Sequence, residues 1–431
     1  MIIMVLTTML GTFLSHYQFL QVWYIYQLLK SRLKDYKLLN KLTKNYLLNE
    51  INSSNKSFIL YKSKKGFDLY SDFSKKIILN NKNINKFLNK KLKIRKRLKD
   101  TDLFIGFFGY EILNNLIGVK LPKQKSINFP KGIFYKPETK VSLKDNLFYK
   151  SNSDKKVDKN FKININQNTY TKIFNRFKKK IRSGDTYQIK ICTKYKNKSK
   201  IDPLDFFCRL AKSNLAPEAF MIKDKNFSII SCSPENLITK NDLSISTKPI
   251  AGTLRKTKKI NKTKALNFFR NNIKETKEHN MIVDMERNDL SRICVPGSVR
   301  LKNEKSVEEY KDLYHYVSLI SGKLKKNVKN IDIIKAMMPG GSVIGCPKIN
   351  TLNLLNNQEK ENRNIYTGSF GFIKFNGDMR FNIIIRSILN YKNISEISVA
   401  SGVVIDSNAK HEFNENFIKA KALIDLYKWY M

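Results

Sequence analysis

An α+β fold built on antiparallel sheets is what this 431-residue sequence predicts, and three observations carry the prediction. Short β-type segments follow one another through turn-length connections, as in "FSIISCSPENLI" and "LSISTKPI" between residues 227 and 250. Helical periodicity is gathered into separate blocks and does not alternate with single strands. No Pro, Gly or Ser linker is long enough to divide the chain, and no internal repeat is evident. Strands joined by hairpins, with helices elsewhere, pack as antiparallel sheet and not as a parallel βαβ array.

Residues 1–50 read as an N-terminal extension without assigned order. The first fourteen residues are largely apolar, but Ser15, His16 and Gln18 interrupt the run before it reaches the roughly twenty residues a membrane span needs, and no basic leader or cleavage site accompanies it. Residues 51–150 form the N-terminal part of the fold, with strands at "FILYKS" (58–63) and "KKIILN" (75–80). Residues 151–431 are read as one continuous catalytic region. Within it, Tyr170, Ile173, Phe174, Phe177 and Ile181 mark a helix over 170–183 that Gly184 ends. The strand "TYQIKICTKY" (186–195) follows, and Asp202-Pro203 starts a helix. A helix is predicted from about 263 to 290. Another runs from about 411 to the end, with Phe413, Phe417, Ala420 and Ile424 on its apolar face. Between them lie the loop "PGGSVIGCPK" (339–348) and the strands "YTGSFGFIKF", "MRFNIIIRSI" and "ISVASGVVI".

A hydrophobic content of 42% excludes global disorder. The formal charge of +45 would attract a polyanion, but Lys is spread through nearly every segment together with Asn and Ile. Such a spread reads as compositional bias, and no nucleic-acid partner is expected. Five scattered cysteines without CxxC spacing fit a reducing cytoplasm and give no zinc framework.

With only 36 acidic residues against 81 basic ones, close carboxylate pairs stand out. Glu275 with Glu278, and Glu412 with Glu415, each sit at i,i+3 on one helix face. Either each pair is balanced by neighbouring lysines, or the pairs converge on a cation, for which all-oxygen ligation suits Mg²⁺. His279 and His315 lie in or near these segments. Glu235 follows Ser233-Pro234 between two strands, where burial would raise its pKa and make it a general acid. Arg386 interrupts the apolar strand "NIIIRS", which calls for an anionic partner. The glycines at 340, 341 and 345, with Lys348 at the loop's end, offer backbone N–H groups to a carboxylate or phosphate, although neither GxxxxGK[ST] nor GxGxxG is present. Together these features point to a small polycarboxylate substrate.

In order along the chain, "SPENLI", "PIAGT", "KEHNMIVDMERNDLSRICVPGSV", "YHYVSLISGKL", "PGGSVIGCPK", "YTGSFGF", "NIIIRS" and "SGVVIDSNAKHEFNENFIKAKAL" resemble the chorismate-utilising enzymes. That family includes anthranilate synthase component I, aminodeoxychorismate synthase component I and the isochorismate synthases. The resemblance implies the anthranilate synthase component I fold, a sandwich of antiparallel sheets with flanking helices. It implies that Glu278 and Glu415 bind Mg²⁺, with Glu275 and Glu412 as second carboxylates. Glu235 would protonate the departing 4-hydroxyl. Tyr366 and Arg386 would hold the enolpyruvyl carboxylate beside Gly402, Ser342 and Lys419 would complete the pocket with the Ala251-Gly252-Thr253 turn, and His315 would serve later steps on the ring.

The same resemblance narrows the reaction. Isochorismate synthases carry a water-activating Lys where this chain has Gln188, so ammonia is the expected nucleophile. "PGGS", "YTGSFG" and "GDTYQI" favour aminodeoxychorismate formation over anthranilate formation. Ala251 pulls the other way, since it stands where many aminodeoxychorismate synthases place a nucleophilic Lys. Lys190 shares a strand face with Gln188. Either Lys190 substitutes as nucleophile, or ammonia attacks directly, or Lys190 is simply salt-bridged. "LYKS" (60–63) falls where relatives sense tryptophan, and Lys62 there puts such feedback in doubt. No G-x-C-x-G segment is present, so a separate glutaminase subunit is implied as the ammonia source.

Overall fold

The computed structural model describes residues 48–427 apart from 55, 91–96, 122–128, 144–146, 148, 150–159, 199–200, 214, 258 and 311–312. The apolar start of the chain therefore lies outside the described residues. The chain divides into Met1–Ser54 and Asn55–Met431, and the second unit carries everything that follows.

The strand pairings are antiparallel throughout, and followed from neighbour to neighbour they trace one continuous path. It begins at Gln188–Asn197 and passes through Ile394–Val403, Ser387–Tyr391, Phe227–Ser233, Glu218–Lys223 and Phe58–Ser63. The long strands Gly66–Ile78 and Gly132–Leu143 come next. The path continues through Leu103–Phe108, Ser369–Lys374, Met379–Ile383, Asn236–Asn241 and Ser244–Lys248 to Leu313–Lys323, which Ile250–Arg255 and Arg300–Glu309 also flank. A register break at Phe73/Lys75, beside Asp72 at φ 50°, bends the sheet between its two arms.

The arms face each other across a shared core, as a sandwich requires. Phe220 from one arm stacks on Phe370 from the other with ring centroids 3.7 Å apart, and Tyr61 meets Phe370 edge-on at 5.2 Å. Phe220 and Phe370 are fully buried, which at roughly 2–3 kcal/mol per phenylalanine makes this contact a main tie between the arms. Helices cover the outer faces. Gln167–Arg182, capped by the Asn166 side chain accepting from the Thr169 N–H at 2.9 Å, buries the predicted Tyr170, Phe174, Phe177 and Ile181 against Ile189 and Leu352. Gly184, at φ +79°, ends that helix as expected. Ile273–Ile293 and Asn330–Met337 pack over the other arm on Ile320 and Phe381. The α+β class and the sandwich of antiparallel sheets are thus both present.

Two helix expectations need correction. The single helix expected over 263–290 is two, Lys262–Asn271 and Ile273–Ile293. Asn272 leaves helical geometry at ψ 100° and accepts a hydrogen bond from the Glu275 N–H, so it ends one helix and caps the next. The last described helix, Ala409–Tyr427, buries Glu412, Asn416, Ala420 and Leu423, whereas Phe417 is 48% exposed. Its inward face is displaced from the apolar stripe because that face carries polar groups of the site.

Candidate functional site

The two ends of the strand path supply part of the candidate site. Gln188–Asn197 contributes Gln188 and Lys190 from one end. Ile250–Arg255 and Leu313–Lys323 contribute the Ala251-Gly252-Thr253 turn and His315 from the other. The helices Ile273–Ile293 and Ala409–Tyr427 bring in the carboxylates.

Glu235 stands just outside the end of Phe227–Ser233, 5% exposed, where its Oε1 accepts from the Ser342 hydroxyl at 2.7 Å. Burial pushes its carboxyl up to about 7, against smaller opposing effects of the Ser342 bond and the Lys190 charge. Ser342 is held in a single 3-10 turn, Gly341–Val343, within the glycine loop. That loop spends two of its N–H groups internally, from Val343 to the Gly340 carbonyl at 3.4 Å and from Ile344 to the Gly341 carbonyl at 3.0 Å. Lys348 stands at the loop's end, as the first residue of the helix Lys348–Gln358. Its ammonium is buried on Asp289 and the Ala336 carbonyl, so it braces the loop from behind and offers no charge to a ligand.

In the Pro-Ile-Ala-Gly-Thr turn, Gly252 adopts φ +90°, and a Cβ there would come within 2.9 Å of Glu275 Oε2 and 2.8 Å of the Phe269 ring. Only glycine lets this turn lie under the first turn of the Glu275 helix. Thr253 Oγ1 and His315 Nδ1 are hydrogen-bonded at 3.0 Å, and burial lowers the His315 imidazole to about 4, so it is neutral near pH 7. Ala251 packs among Ile282, Met285 and Cys346. His279 is turned away, buried with Nε2 2.7 Å from the Ser318 hydroxyl.

Glu278 Oε1 accepts from Gln188 Nε2 at 3.0 Å and from Lys190 Nζ at 3.1 Å, and the Lys190 charge is the main reason its carboxyl lies below the ordinary glutamate value. Glu415 Oε1 is 2.7 Å from Lys419 Nζ, and Lys419 also donates to the Ala400 carbonyl at 3.0 Å. The Ser407 hydroxyl donates to Glu412 Oε1 at 2.9 Å. Burial tends to raise Glu415, but Lys419 and Glu412 together hold it below its ordinary value. Among the described residues no three His, Cys, Asp or Glu groups stand close enough as placed to ligate one ion. The donor chemistry nonetheless fits Mg²⁺. All four groups are carboxylates, and oxygen ligands of this kind are the ones Mg²⁺ takes.

Arg386, at φ 49°, has its guanidinium pKa lowered by burial, with Glu235 and the Cys232 thiol as the nearby groups that oppose the shift. Tyr366 is buried with Cys192 and Ala400, and desolvation raises its phenol well above the ordinary value. Gly402 pairs with Lys190 across the strands, and a Cβ on it would come within 2.8 Å of Lys190 Nζ and 3.0 Å of Gln188 Nε2. Bonds and charges thus link Gln188 and Lys190 with Glu278, Glu235 with Ser342 and Lys190, and Thr253 with His315.

Sequence reasoning missed Arg363. Fully buried, its guanidinium lies 4.9 Å from the Tyr110 ring centroid and 5.9 Å from that of Tyr366. It is ion-paired with Glu359 at 2.6 Å and donates to the Lys190 carbonyl at 3.0 Å. The only sequence signal was its place three residues before Tyr366. At "LYKS", Tyr61 donates to Glu218 at 2.8 Å, and Lys62 donates to the Ser63 carbonyl at 2.8 Å.

The chain is 36% identical over 255 residues to aminodeoxychorismate synthase component 1 of Bacillus subtilis (strain 168), a match covering 59% of this chain and only 54% of that protein's length. It is 32% identical over 383 residues to anthranilate synthase component 1 of Buchnera aphidicola subsp. Pemphigus spyrothecae, covering 79% of this chain and 73% of that protein. The crystal structure of anthranilate synthase component I from Streptococcus pneumoniae TIGR4 superposes with a TM-score of 0.69 at 24% identity, over 86% of this chain and 92% of that one, so the fold is shared. The family profile described as chorismate binding enzyme matches residues 44–425, and the chain belongs to that family.

Proposed function

We propose that the protein aminates chorismate at ring carbon 4, giving 4-amino-4-deoxychorismate, with Mg²⁺ bound and with ammonia from a separate glutaminase subunit. The observation that carries the reading is Gln188. Its amide donates to Glu278 at the position where a water-activating base would stand, and an amide cannot take a proton from water at neutral pH. The nucleophile must therefore arrive ready to attack, as ammonia does. The "component 1" names of the relatives fit a second subunit as its source.

Glu235 supplies the acid. With its carboxyl near 7 and Ser342 fixing its orientation, it gives a proton to the 4-hydroxyl, which leaves as water while the C–N bond forms. The attached ammonium returns one proton to Glu235, so atoms and charge balance. Glu275, Glu278, Glu412 and Glu415 would hold Mg²⁺, which when bound neutralises a substrate carboxylate. Arg386 and Tyr366 hold the second carboxylate, Lys419 and the Gly402 backbone close that side, and neutral His315 borders the ring. Lys190, an ammonium paired with Glu278, is protonated and thus a poor nucleophile, which favours direct attack by ammonia. The free cysteines fit a reducing cytoplasm as the place where it acts.

A second reading, anthranilate formation with loss of pyruvate, draws support from Ala251, which offers no amine beside the ring. Pyruvate release separates the two. With chorismate, Mg²⁺ and ammonium, chorismate should disappear without pyruvate forming; stoichiometric pyruvate would favour anthranilate, and no ammonium dependence would reject both.

A further inference from the structure

Lys190 occupies an unusual place. Its ammonium is 3.1 Å from Glu278 Oε1, its side chain is 13% exposed, and the charges of Glu415 and Glu412 act on it as well. Gly402 opposite makes room for it, since a Cβ there would stand 2.8 Å from Nζ. The Arg363 guanidinium, which donates to the Lys190 carbonyl at 3.0 Å, fixes the strand from which the side chain projects. A cation is thus already tethered among the carboxylates that would hold the metal.

We infer that Lys190 is a resident counter-ion of the acidic cluster, one that competes with the divalent cation for Glu278 and so sets the affinity of the site for metal. This rests on the reading of the four glutamates as the metal site. An ammonium on Glu278 opposes a second cation on the same carboxylate by like-charge repulsion, so metal entry weakens or displaces the Lys190 contact. Lys190 then remains beside Gly402, a positive charge facing the anionic substrate. Metal and substrate should therefore load together more readily than metal alone, because the displaced ammonium gains a substrate carboxylate in exchange for Glu278.

The test is direct binding of Mn²⁺, as a spectroscopic stand-in for Mg²⁺, followed by electron paramagnetic resonance and calorimetry on the full chain. Lys190→Met keeps the length of the side chain and removes its charge; it should bind Mn²⁺ roughly tenfold more tightly than wild type, a change of about 1.4 kcal/mol. Lys190→Arg, which keeps the charge, should stay within about twofold of wild type. Metal should also raise the melting temperature of Lys190→Met more than that of wild type, a response that an ion pair of purely structural role would not give. Equal Mn²⁺ affinity in wild type and Lys190→Met would overturn the inference while leaving the metal site standing, provided Glu278→Gln weakens binding. No site-specific Mn²⁺ binding in any of these proteins would overturn both. If Lys190→Met does not fold, as judged by circular dichroism, Lys190→Gln takes its place in the same comparison.

Discussion

At single residues, burial decides protonation. Glu235 is buried, and the Ser342 hydroxyl, the Lys190 charge and the Ile250 N–H offset only part of its desolvation, so it carries a proton up to about pH 7. If it is the acid, Glu235→Gln should lower kcat by about 10²–10⁴-fold, with little change in KM. The wild-type rate should fall as pH rises through about 7, measured under ammonia-saturating conditions so that the titration of ammonium does not mask it. Stability should also depend on pH. Glu111, Glu235 and Glu286 are raised by burial to about 7, 7 and 8, so each binds its proton more strongly folded than unfolded. Their stabilising effect is complete below the unfolded glutamate value near 4.5 and is lost as pH rises through 7–8. His279 and His315, lowered to about 4, act in the opposite sense, but only as pH falls below about 6.5. The melting temperature should therefore decline between about pH 6.5 and 8.5, and Glu286→Gln should flatten that decline. An unchanged slope in Glu286→Gln would mean that this carboxyl does not hold its proton.

At the level of elements, two glycines that look alike in sequence should respond differently. Gly252 combines φ +90° with contacts to Phe269 and Glu275, so Gly252→Ala should cost roughly 1–3 kcal/mol in urea unfolding as well as activity. Gly402 would bring its Cβ against the movable ends of Lys190 and Gln188, so Gly402→Ala should impair activity while leaving stability nearly intact. Asn272→Ala should cost about 1 kcal/mol by removing the cap on the helix that carries Glu275 and Glu278. These elements also mark what the sequence could and could not reveal. The helix Gln167–Arg182 was legible because its buried face is purely apolar. The last helix was misjudged because Glu412 and Asn416 face inward, and periodicity cannot tell a functional polar face from a solvated one. The glutamate pairs were legible because acids are scarce in this chain. Arg363 was not, since one basic residue among 81 carries no signal until burial singles it out.

Over the whole molecule, the strand path explains why the site forms where it does. Residues 188 and 315 lie far apart in sequence, and their strands stand towards opposite ends of one antiparallel path, yet Glu235 feels the Lys190 and Arg386 charges and His315 feels Arg386 as well. The resemblance in motifs is thus matched by an arrangement that could not arise from any one segment. The +45 charge has no part in this arrangement beyond the few lysines that meet carboxylates. The central claim, ammonia transfer to carbon 4 with the enolpyruvyl group kept, is tested most directly by incubating the protein with chorismate, Mg²⁺ and ¹⁵N-ammonium and weighing the product by mass spectrometry. The account predicts a ¹⁵N-labelled product that retains the enolpyruvyl ether and has lost one hydroxyl as water; ¹⁵N-anthranilate, or an unlabelled hydroxylated isomer of chorismate, would contradict it.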